Sequence, residues 1–515
     1  MSRRISPIRP PTEEEIRTYA ERHFIELTDE EIEIFSDVIS DNITSLHKVD
    51  DLSVPRPHVR QTGRDPGYRP TSEEDPYNAF VTKCNIRESN DGPLSEYEVA
   101  VKDNISVAGV EMTCGSSLME GYVPSFDATV VARLLDAGVT IRGKNNMESM
   151  ASSGSGELSA FGPVLNPRNS AYLAGGSSSG SAAAVVTGDV DIAIGTDQGG
   201  SIRIPAAWCG CIGLKPTFGL VPYSGAVGLG YTFDHIGPLA KTVEDCSRTL
   251  EVIAGKDSLD PRQSPVEAQI YSGGLRETDP SDITVGTVEE GFNNDSESTL
   301  GTKTEVTEAV RKGLDEFADE GVQMREKSIP WHTYGQTIRR PISIGETTAL
   351  IRNEGMGHFV KDQYDTEFLQ AFAKARRSHA NDLPPTMKLT LVLGEYLDEK
   401  YFGYYYAKTQ NLRRQLKKKY DDALSDVDVL AMPTTLNLPH KKKRNLTLKE
   451  IIERAHNSSQ NTAPFNITGH PAITVPCATV RGLPIGLMFV GDRFDDRTVL
   501  EVAATFERTV DWLPT

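Results

Sequence analysis

The stretch that decides the fold is Ala174–Thr217, AGGSSSGSAAAVVTGDVDIAIGTDQGGSIRIPAAWCGCIGLKPT, which holds nine glycines and five serines. Glycine permits positive φ angles and close backbone approach, and clustered hydroxyl groups in an apolar segment need partners once they are buried. A flexible Gly/Ser linker is the alternative interpretation, but a linker is not followed by a helical pattern such as Ala182–Val186 and a strand pattern such as Ile192–Gly195. The stretch therefore predicts a functional turn at the end of a buried strand.

A β-α-β unit is predicted on the N-terminal side of this stretch. Apolar residues alternate over 97–101, as in a strand, and the strand stops at Lys102. Asp127 is placed to cap a following helix that ends at Gly138, and Val139–Arg142 is the next predicted strand. The helix has one apolar stripe, which consists of Val130, Val131, Leu134 and Leu135. Units of this kind predict a layered α/β fold in which sites gather at the carboxyl ends of strands.

Two helices are predicted close to the N-terminus. Thr12 with Glu15, and Thr28 with Glu31, form S/T-x-x-E capping boxes, each of which satisfies free amides at a helix start. An apolar stripe follows each box and must be buried against something. The proline-rich stretch 53–77 is a predicted linker.

The chain of 515 residues is longer than the roughly 250–300 at which single cores usually stop growing. We expect a helical N-terminal region with its linker over 1–75 and one large domain over 76–515. Within that domain, the polar range of about 256–425 predicts a variable, mostly helical lobe. Strand-like runs return over 428–490 and are expected to rejoin the core.

Net charge argues against anionic partners. The chain carries 73 acidic and 54 basic residues, which gives a formal charge of −19. Such a surface repels nucleic acid and anionic membranes. No apolar run reaches the roughly 18–20 residues that a membrane helix needs, and the start, MSRRISPIRPPTEEE, lacks the apolar core of a signal peptide. We expect no nucleic-acid partner, no membrane association and a cytoplasmic location.

The six cysteines are too sparse for a disulfide framework, which favours a reducing compartment. Cys209 and Cys211 have no second pair of ligands at the spacing that structural zinc requires. We therefore predict that both are small core residues and expect no metal.

Five motifs resemble the amidase signature family, and the resemblance extends over roughly Tyr77–Phe506. They are VKDN at 101–104, GGSSSGSAAAV at 175–185, GTDQGGSIRIPAAWCGCIGLKPTFG at 195–219, DHIGPL at 234–239 and NITGHPAITVP at 466–476. The resemblance implies a mixed β-sheet layered between helices, amide C–N hydrolysis, and no cofactor. It also implies that Ser201 is the nucleophile, Ser177 a relay serine that follows a cis peptide, and Lys102 the general base.

Elementary chemistry makes these roles coherent. A serine hydroxyl is a weak nucleophile until a base takes its proton, and lysine acts as a base only when neutral. Burial must therefore lower the pKa of Lys102. Ser177 is expected to relay the proton from Ser201 to Lys102.

The turn Gln198-Gly199-Gly200-Ser201 presents consecutive amides, which are the candidate oxyanion hole. Asp197 and Arg203 flank the turn and are expected to brace it. Ser178 is a candidate for orienting the triad. Taken alone, a lysine at a strand end is more often a solvated or paired surface group, with Asp103 as an available partner for Lys102.

Other catalytic motifs fit less well. Gly176–Gly180 satisfies G-x-S-x-G, but no apolar strand precedes it, as a nucleophile elbow requires. Ser45–Lys48 satisfies S-x-x-K and Ser40–Asn42 spells S-D-N, but their order is reversed, no K-T-G follows, and both lie on a predicted helix. His235 and His470 lie in family-like segments, and we predict structural roles for both.

The N-terminal region and Gln198 resemble those of family members that act on short aliphatic or aromatic monoamides. That resemblance implies a small-molecule amide substrate and a homodimer formed through the N-terminal helices. A carbamate hydrolase, the glutaminase subunit of a tRNA-dependent amidotransferase, and a non-catalytic scaffold stay open as alternatives. Ile204 stands where the glutaminase group often has Gln.

Overall fold

A computed structural model describes residues 8–54, 57, 63–264, 269–275, 277–292, 303–355 and 363–512. The chain forms two compact units, Met1–Pro57 and His58–Thr515. None of the helices in the described ranges combines the length and apolar character needed to cross a membrane.

The first unit contains helices α1 (Glu13–Glu21) and α2 (Asp29–Asp50), which contact each other. Both predicted capping boxes are confirmed. The hydroxyl of Thr12 accepts from the amide of Glu15 at 3.3 Å, and the Thr28 hydroxyl accepts from Glu31 at 3.2 Å. In each box the glutamate carboxylate accepts in return from the threonine amide at 2.8 Å.

The second unit is built on one eleven-stranded sheet. Its strands run in the order β1-β3-β2-β4-β6-β5-β10-β11-β9-β7-β8. The pairs β2/β3, β2/β4, β7/β8 and β7/β9 are parallel, and the other pairs are antiparallel, so the predicted α/β class with a mixed sheet is confirmed. The strands are β1 (Phe80–Ile86), β2 (Glu98–Lys102), β3 (Thr140–Asn145), β4 (Ile192–Asp197), β5 (Ile212–Lys215), β6 (His235–Ala240), β7 (Thr284–Val288), β8 (Gln323–Lys327), β9 (Val429–Pro433), β10 (Ala472–Val480) and β11 (Leu483–Val490).

Helices cover both faces of the sheet. They are α3 (Thr129–Asp136), α4 (Ser179–Thr187), α5 (Arg203–Cys209), α6 (Val243–Ile253), α7 (Glu289–Phe292), α8 (Lys303–Asp319), α9 (Gly335–Arg352), α10 (Thr366–His379), α11 (Pro385–Tyr401), α12 (Tyr404–Leu424), α13 (Leu448–His456), α14 (Pro464–Thr468) and α15 (Asp496–Thr509). The range 256–425 supplies most of the longer helices and also β7 and β8, the last two strands at one end of the sheet, of which β8 is the edge strand.

One detail of the predicted β-α-β unit is wrong. The N-cap of α3 is Ala128, and no side chain caps this helix. The carboxylate of Asp127 instead accepts from the Ala108 amide at 2.8 Å and from the guanidinium of Arg64 through two bonds of 2.8 Å. A buried ion pair with a distant segment therefore overrides the local capping pattern. The strand predicted at 139–142 is displaced to β3, Thr140–Asn145.

The cysteines lie in the apolar interior, as predicted for Cys209 and Cys211. All six are free and buried, and the Cys209 thiol contacts the carbonyl oxygen of Ala174 at 3.4 Å. Burial raises the pKa of Cys211 to about 12. These thiols are packing groups in the core.

Candidate active site

The candidate site forms where two parallel strands end side by side. Lys102 is the last residue of β2, and Val101 pairs with Ile194 of β4. The register brings the Lys102 amine to Thr196, where Nζ lies 2.8 Å from the hydroxyl oxygen and 3.2 Å from the carbonyl oxygen. The Ser177 Oγ is the third oxygen atom in contact with Lys102 Nζ, at 2.7 Å. The structure thus brings together two of the three residues proposed for catalysis.

Burial changes the chemistry of Lys102. The side chain is fully buried, and desolvation lowers its pKa from 10.5 to about 7, although Asp197, Glu148 and Asp234 favour the charged form. A charged amine can donate to all three surrounding oxygens. A neutral amine has two N–H groups and one lone pair, so one neighbouring hydroxyl must then donate to the nitrogen. The environment therefore permits a neutral lysine that accepts a proton from a serine.

Ser177 and Ser201 belong to two turns that are joined by main-chain contacts. The Gly176–Ser177 peptide is cis, as the resemblance implies. The amide of Ser178 donates to the Ser201 carbonyl oxygen at 3.1 Å, and its hydroxyl donates to the Thr196 carbonyl oxygen at 3.1 Å. Ser178 thus ties the start of α4 to both the end of β4 and the turn that carries Ser201.

A buried ion pair holds the turn between β4 and α5. The Arg203 guanidinium donates to the Asp197 carboxylate at 3.0 and 3.1 Å, and both side chains are inaccessible. Asn466 joins them, since it accepts from Arg203 at 2.8 Å and donates to Asp197 at 2.8 Å. Burial alone would raise the pKa of Asp197, but Arg203 and Asn466 hold it well below its ordinary value. This carboxylate, whose pKa is lowered, accepts from the amides of Gly200 and Ile202 in the turn.

The four candidate oxyanion-hole residues differ in what their amides contact. The Gly200 amide donates to the Asp197 carboxylate at 2.7 Å, so this N–H already has a strong acceptor. The amides of Gln198, Gly199 and Ser201 are the remaining candidates for an oxyanion. Gly200 has a φ of 127°, in a region that favours glycine.

The turn opens into a cavity of about 80 Å³ that is lined by Gln198, Gly199 and Ser201. Arg339 of α9 also lines this cavity, and its guanidinium donates two bonds, of 3.1 and 2.9 Å, to the Gln198 carbonyl oxygen. The Thr462 hydroxyl donates to the Gly199 carbonyl oxygen at 2.6 Å and so holds the peptide group that follows Gly199. Side chains from distant parts of the chain therefore hold the carbonyl groups of Gln198 and Gly199 in place.

Sequence reasoning missed Thr196, Arg339, Thr462 and Asn466. Thr196 had a local signal, because it precedes Asp197 at the end of a predicted strand. Asn466 is the first residue of the family-like motif at 466–476, although no role was assigned to it. Arg339 and Thr462 lie 100 residues or more from the turn in sequence, and no pattern marks them. They are brought to the turn only by the folded sheet and its helices.

The two histidines of the family-like segments have protein partners. His235 Nδ1 lies 2.9 Å from the Phe233 carbonyl oxygen. His470 contacts the Thr468 hydroxyl and the Asp421 carboxylate, each at 3.0 Å. Their contacts are consistent with the predicted structural roles.

Known proteins share this fold and sequence pattern. The family model described as Amidase matches residues 78–500. An enantioselective amidase of Rhodococcus rhodochrous is 37% identical over 524 residues, covering 99% of this chain and 98% of the relative. A glutamyl-tRNA(Gln) amidotransferase subunit of Haloarcula marismortui is 38% identical over 432 residues, covering 83% and 99%. The structure of native peptide amidase from Stenotrophomonas maltophilia aligns with a TM-score of 0.67 at 26% identity, covering 82% and 84%.

Proposed function

Because the chain belongs to the amidase family and is an amide hydrolase, we propose a specific reaction for it. The enzyme converts small monocarboxylic amides to carboxylate and ammonia through an acyl-enzyme on Ser201. The observation that best supports this proposal is the 2.7 Å contact between Lys102 Nζ and Ser177 Oγ inside the protein. Ser201 is 8% exposed and lines the cavity, whereas Lys102 and Ser177 are 0% exposed. A buried base and relay, joined through the Ser178 amide to the turn whose serine lines the cavity, support nucleophilic catalysis.

In the proposed first half-reaction, the Ser201 oxygen attacks the amide carbon and its proton passes to Ser177. The proton of the Ser177 hydroxyl passes at the same time to neutral Lys102. The amides of Gln198, Gly199 and Ser201 donate to the negative oxygen of the tetrahedral intermediate. The C–N bond then breaks, and the proton held on Lys102 returns through Ser177 to the leaving nitrogen, which departs as ammonia.

In the second half-reaction, water attacks the ester carbonyl of the acyl-enzyme. The same relay takes one proton from the water and returns it to the Ser201 oxygen when the ester C–O bond breaks. The products are a carboxylic acid, which ionises, and the free enzyme. Each proton borrowed by Lys102 is returned within the same half-reaction, so the base is regenerated twice per turnover.

The cavity at Ser201 adjoins a larger one. Its own volume is about 80 Å³, and five of its lining residues also line a neighbouring cavity of about 470 Å³, namely Arg339, Ser343, Thr390, His456 and Ser459. Short aliphatic and aromatic monoamides are therefore both expected substrates. Full-length alignment with the enantioselective amidase also supports an amidase over a glutaminase subunit, because the amidotransferase relative matches only 83% of this chain.

Ammonia release tests this function. Wild type, Ser201→Ala and Lys102→Ala would be compared on acetamide, propionamide, benzamide, glutamine and ethyl carbamate. We expect release from the small amides, lost in both variants. Release from glutamine alone would favour the amidotransferase alternative, release from the carbamate alone the urethane hydrolase, and no release from any substrate the scaffold.

We further propose that residues 1–75 mediate homodimerisation in the cytoplasm. Helix α2 supports this because it exposes several large apolar side chains, namely Ile34, Phe35, Val38, Leu46 and Val49. Light scattering after size exclusion should give twice the chain mass of 56.4 kDa, and removal of 1–57 should give a monomer. A full-length monomer would contradict the proposal.

A further inference from the structure

A second cavity, of about 360 Å³, shares no lining residue with the cavity at Ser201. Five of its eleven lining residues are basic, and none of the described lining residues is acidic. Lysine and arginine make up 54 of the 515 residues, so about one basic residue would be expected in a set of this size. The five basic residues, termed here the basic cavity residues, are Arg262, Arg413, Arg414, Lys417 and Arg493.

Acidic partners neutralise only part of this charge. Arg262 donates to Asp260 at 2.8 and 2.6 Å, and Lys417 donates to Asp421 at 2.7 and 2.8 Å. The remaining three arginines form no ion pair within the part of the chain that the structure describes. They are Arg413, Arg414 and Arg493.

The contacts of Arg413 and Arg493 leave hydrogen-bond donors unused. Arg413 makes one long contact of 3.5 Å, from Nη1 to the Thr232 carbonyl oxygen, and Glu346 contributes a further electrostatic attraction. The Nε of Arg493 is buried, yet it has no hydrogen-bond partner among the described residues. A buried donor without an acceptor is costly, typically about 1–3 kcal/mol.

Gly469 lets the main chain pack closely against Arg493. Gly469 has a φ of 79°, and a Cβ at this position would lie 3.3 Å from Arg493 Nε and 3.0 Å from Phe218 Cβ. On another wall, the Arg262 guanidinium lies over the rings of Phe218 and Tyr231, with centroid distances of 5.6 and 5.8 Å. The cavity therefore combines cationic groups with an aromatic wall.

We propose that this cavity binds a small organic anion with two or more negative charges, either a phosphate ester or a polycarboxylate. Guanidinium groups bind both through paired N–H···O bonds. The volume lies within the range of about 300–1,000 Å³ typical of small-molecule sites, which is more than a simple inorganic ion fills. The overall charge of −19 opposes anion binding elsewhere on the surface, whereas the charged groups that line this cavity are basic. Asp421 and Asp492 attract the charge of Arg493 but do not line the cavity.

Calorimetry with glycerol 2-phosphate and citrate tests the proposal, with acetate at equal ionic strength as the monovalent control. Wild type would be compared with Arg413→Gln/Arg414→Gln and with Lys442→Gln/Arg444→Gln, which removes two charges from an exposed loop. We expect saturable binding of at least one divalent or trivalent probe, weakened tenfold or more in the first variant only. Ser201→Ala should bind like wild type, because the active-site cavity is separate.

Preference for one probe would identify the ligand as a phosphate ester or a polycarboxylate. Absence of saturable binding to wild type would overturn the proposal, as would equal weakening in both double variants, or loss of binding in Ser201→Ala. Circular dichroism would verify folding. If the α12 variant does not fold, Arg493→Gln provides the same comparison, and unchanged affinity in it would also contradict the proposal.

Discussion

Removing the Thr196 hydroxyl should move the pH dependence of catalysis. The pKa of Lys102 is about 7, so about half of this residue is neutral at pH 7, compared with roughly 1 in 2,500 for an ordinary lysine. Because the proposed base must be neutral, kcat/KM should fall tenfold per pH unit below this value. Activity at pH 6 should therefore be about one-tenth of that at pH 8.

Thr196→Val is the diagnostic perturbation, because it replaces the hydroxyl that lies 2.8 Å from Nζ with a methyl group of similar size. The charged amine can donate to three oxygens and would lose one of them, so the charged form is destabilised and the pKa falls further. A loss of about 0.7–1.4 kcal/mol corresponds to a shift of roughly 0.5–1 pH unit. The acid limb should therefore move towards lower pH.

The assay is initial ammonia release from propionamide at pH 5 to 9.5. Thr187→Val is the matched control, since its hydroxyl bonds to the Ala183 carbonyl oxygen in the last turn of α4. Burial also raises the pKa of Glu148 to about 7, so the position of the limb alone does not identify the base. A limb that does not move in Thr196→Val, or that moves equally in Thr187→Val, would refute the assignment to Lys102.

Two further predictions concern the turn that carries Ser201. Arg339→Met removes both guanidinium bonds to the Gln198 carbonyl oxygen and should lower kcat about tenfold to hundredfold, equivalent to ~1.5–3 kcal/mol. Arg339→Lys should recover part of this loss. A change confined to KM would contradict a positioning role for Arg339. Gly200→Ala places a Cβ against Thr462 at positive φ, so it should lower the free energy of unfolding by more than the 1–2 kcal/mol expected for φ alone. Gly482→Ala, with a φ of 75° and open space around it, measures that cost by itself in denaturant unfolding, and equal losses would contradict the clash.

Local sequence patterns predicted the elements that hold the site. Alternation over 97–101 became β2, and the run at 192–195 became β4. Because β2 and β4 are parallel neighbours, the residues at their carboxyl ends meet, and this explains why Lys102 lies at the site. Its position at a strand end did not by itself identify Lys102 as a base; that role was implied by the family resemblance. The placement of Ser177 beside it was implied by the family resemblance, since no periodic signal identifies a relay serine.

What the sequence did not predict depends on contacts between distant segments. Arg339 reaches Gln198 across 141 positions of the chain. Asp127 follows the local rule for a helix cap, yet Arg64, 63 positions away, binds its carboxylate more favourably. The basic cavity likewise assembles from separate segments that contain Arg262, α12 and Arg493. Charge and capping patterns describe neighbours along the chain, whereas these sites are defined by neighbours across the sheet.

The most direct test of the account is covalent labelling of Ser201. Wild type, Lys102→Ala and Ser201→Ala would react with a fluorophosphonate probe, followed by intact-mass measurement and peptide mapping. The account predicts one label per chain on Ser201 in wild type, labelling at least a hundredfold slower in Lys102→Ala, and none in Ser201→Ala. A label on another residue, or equal labelling rates in wild type and Lys102→Ala, would contradict it.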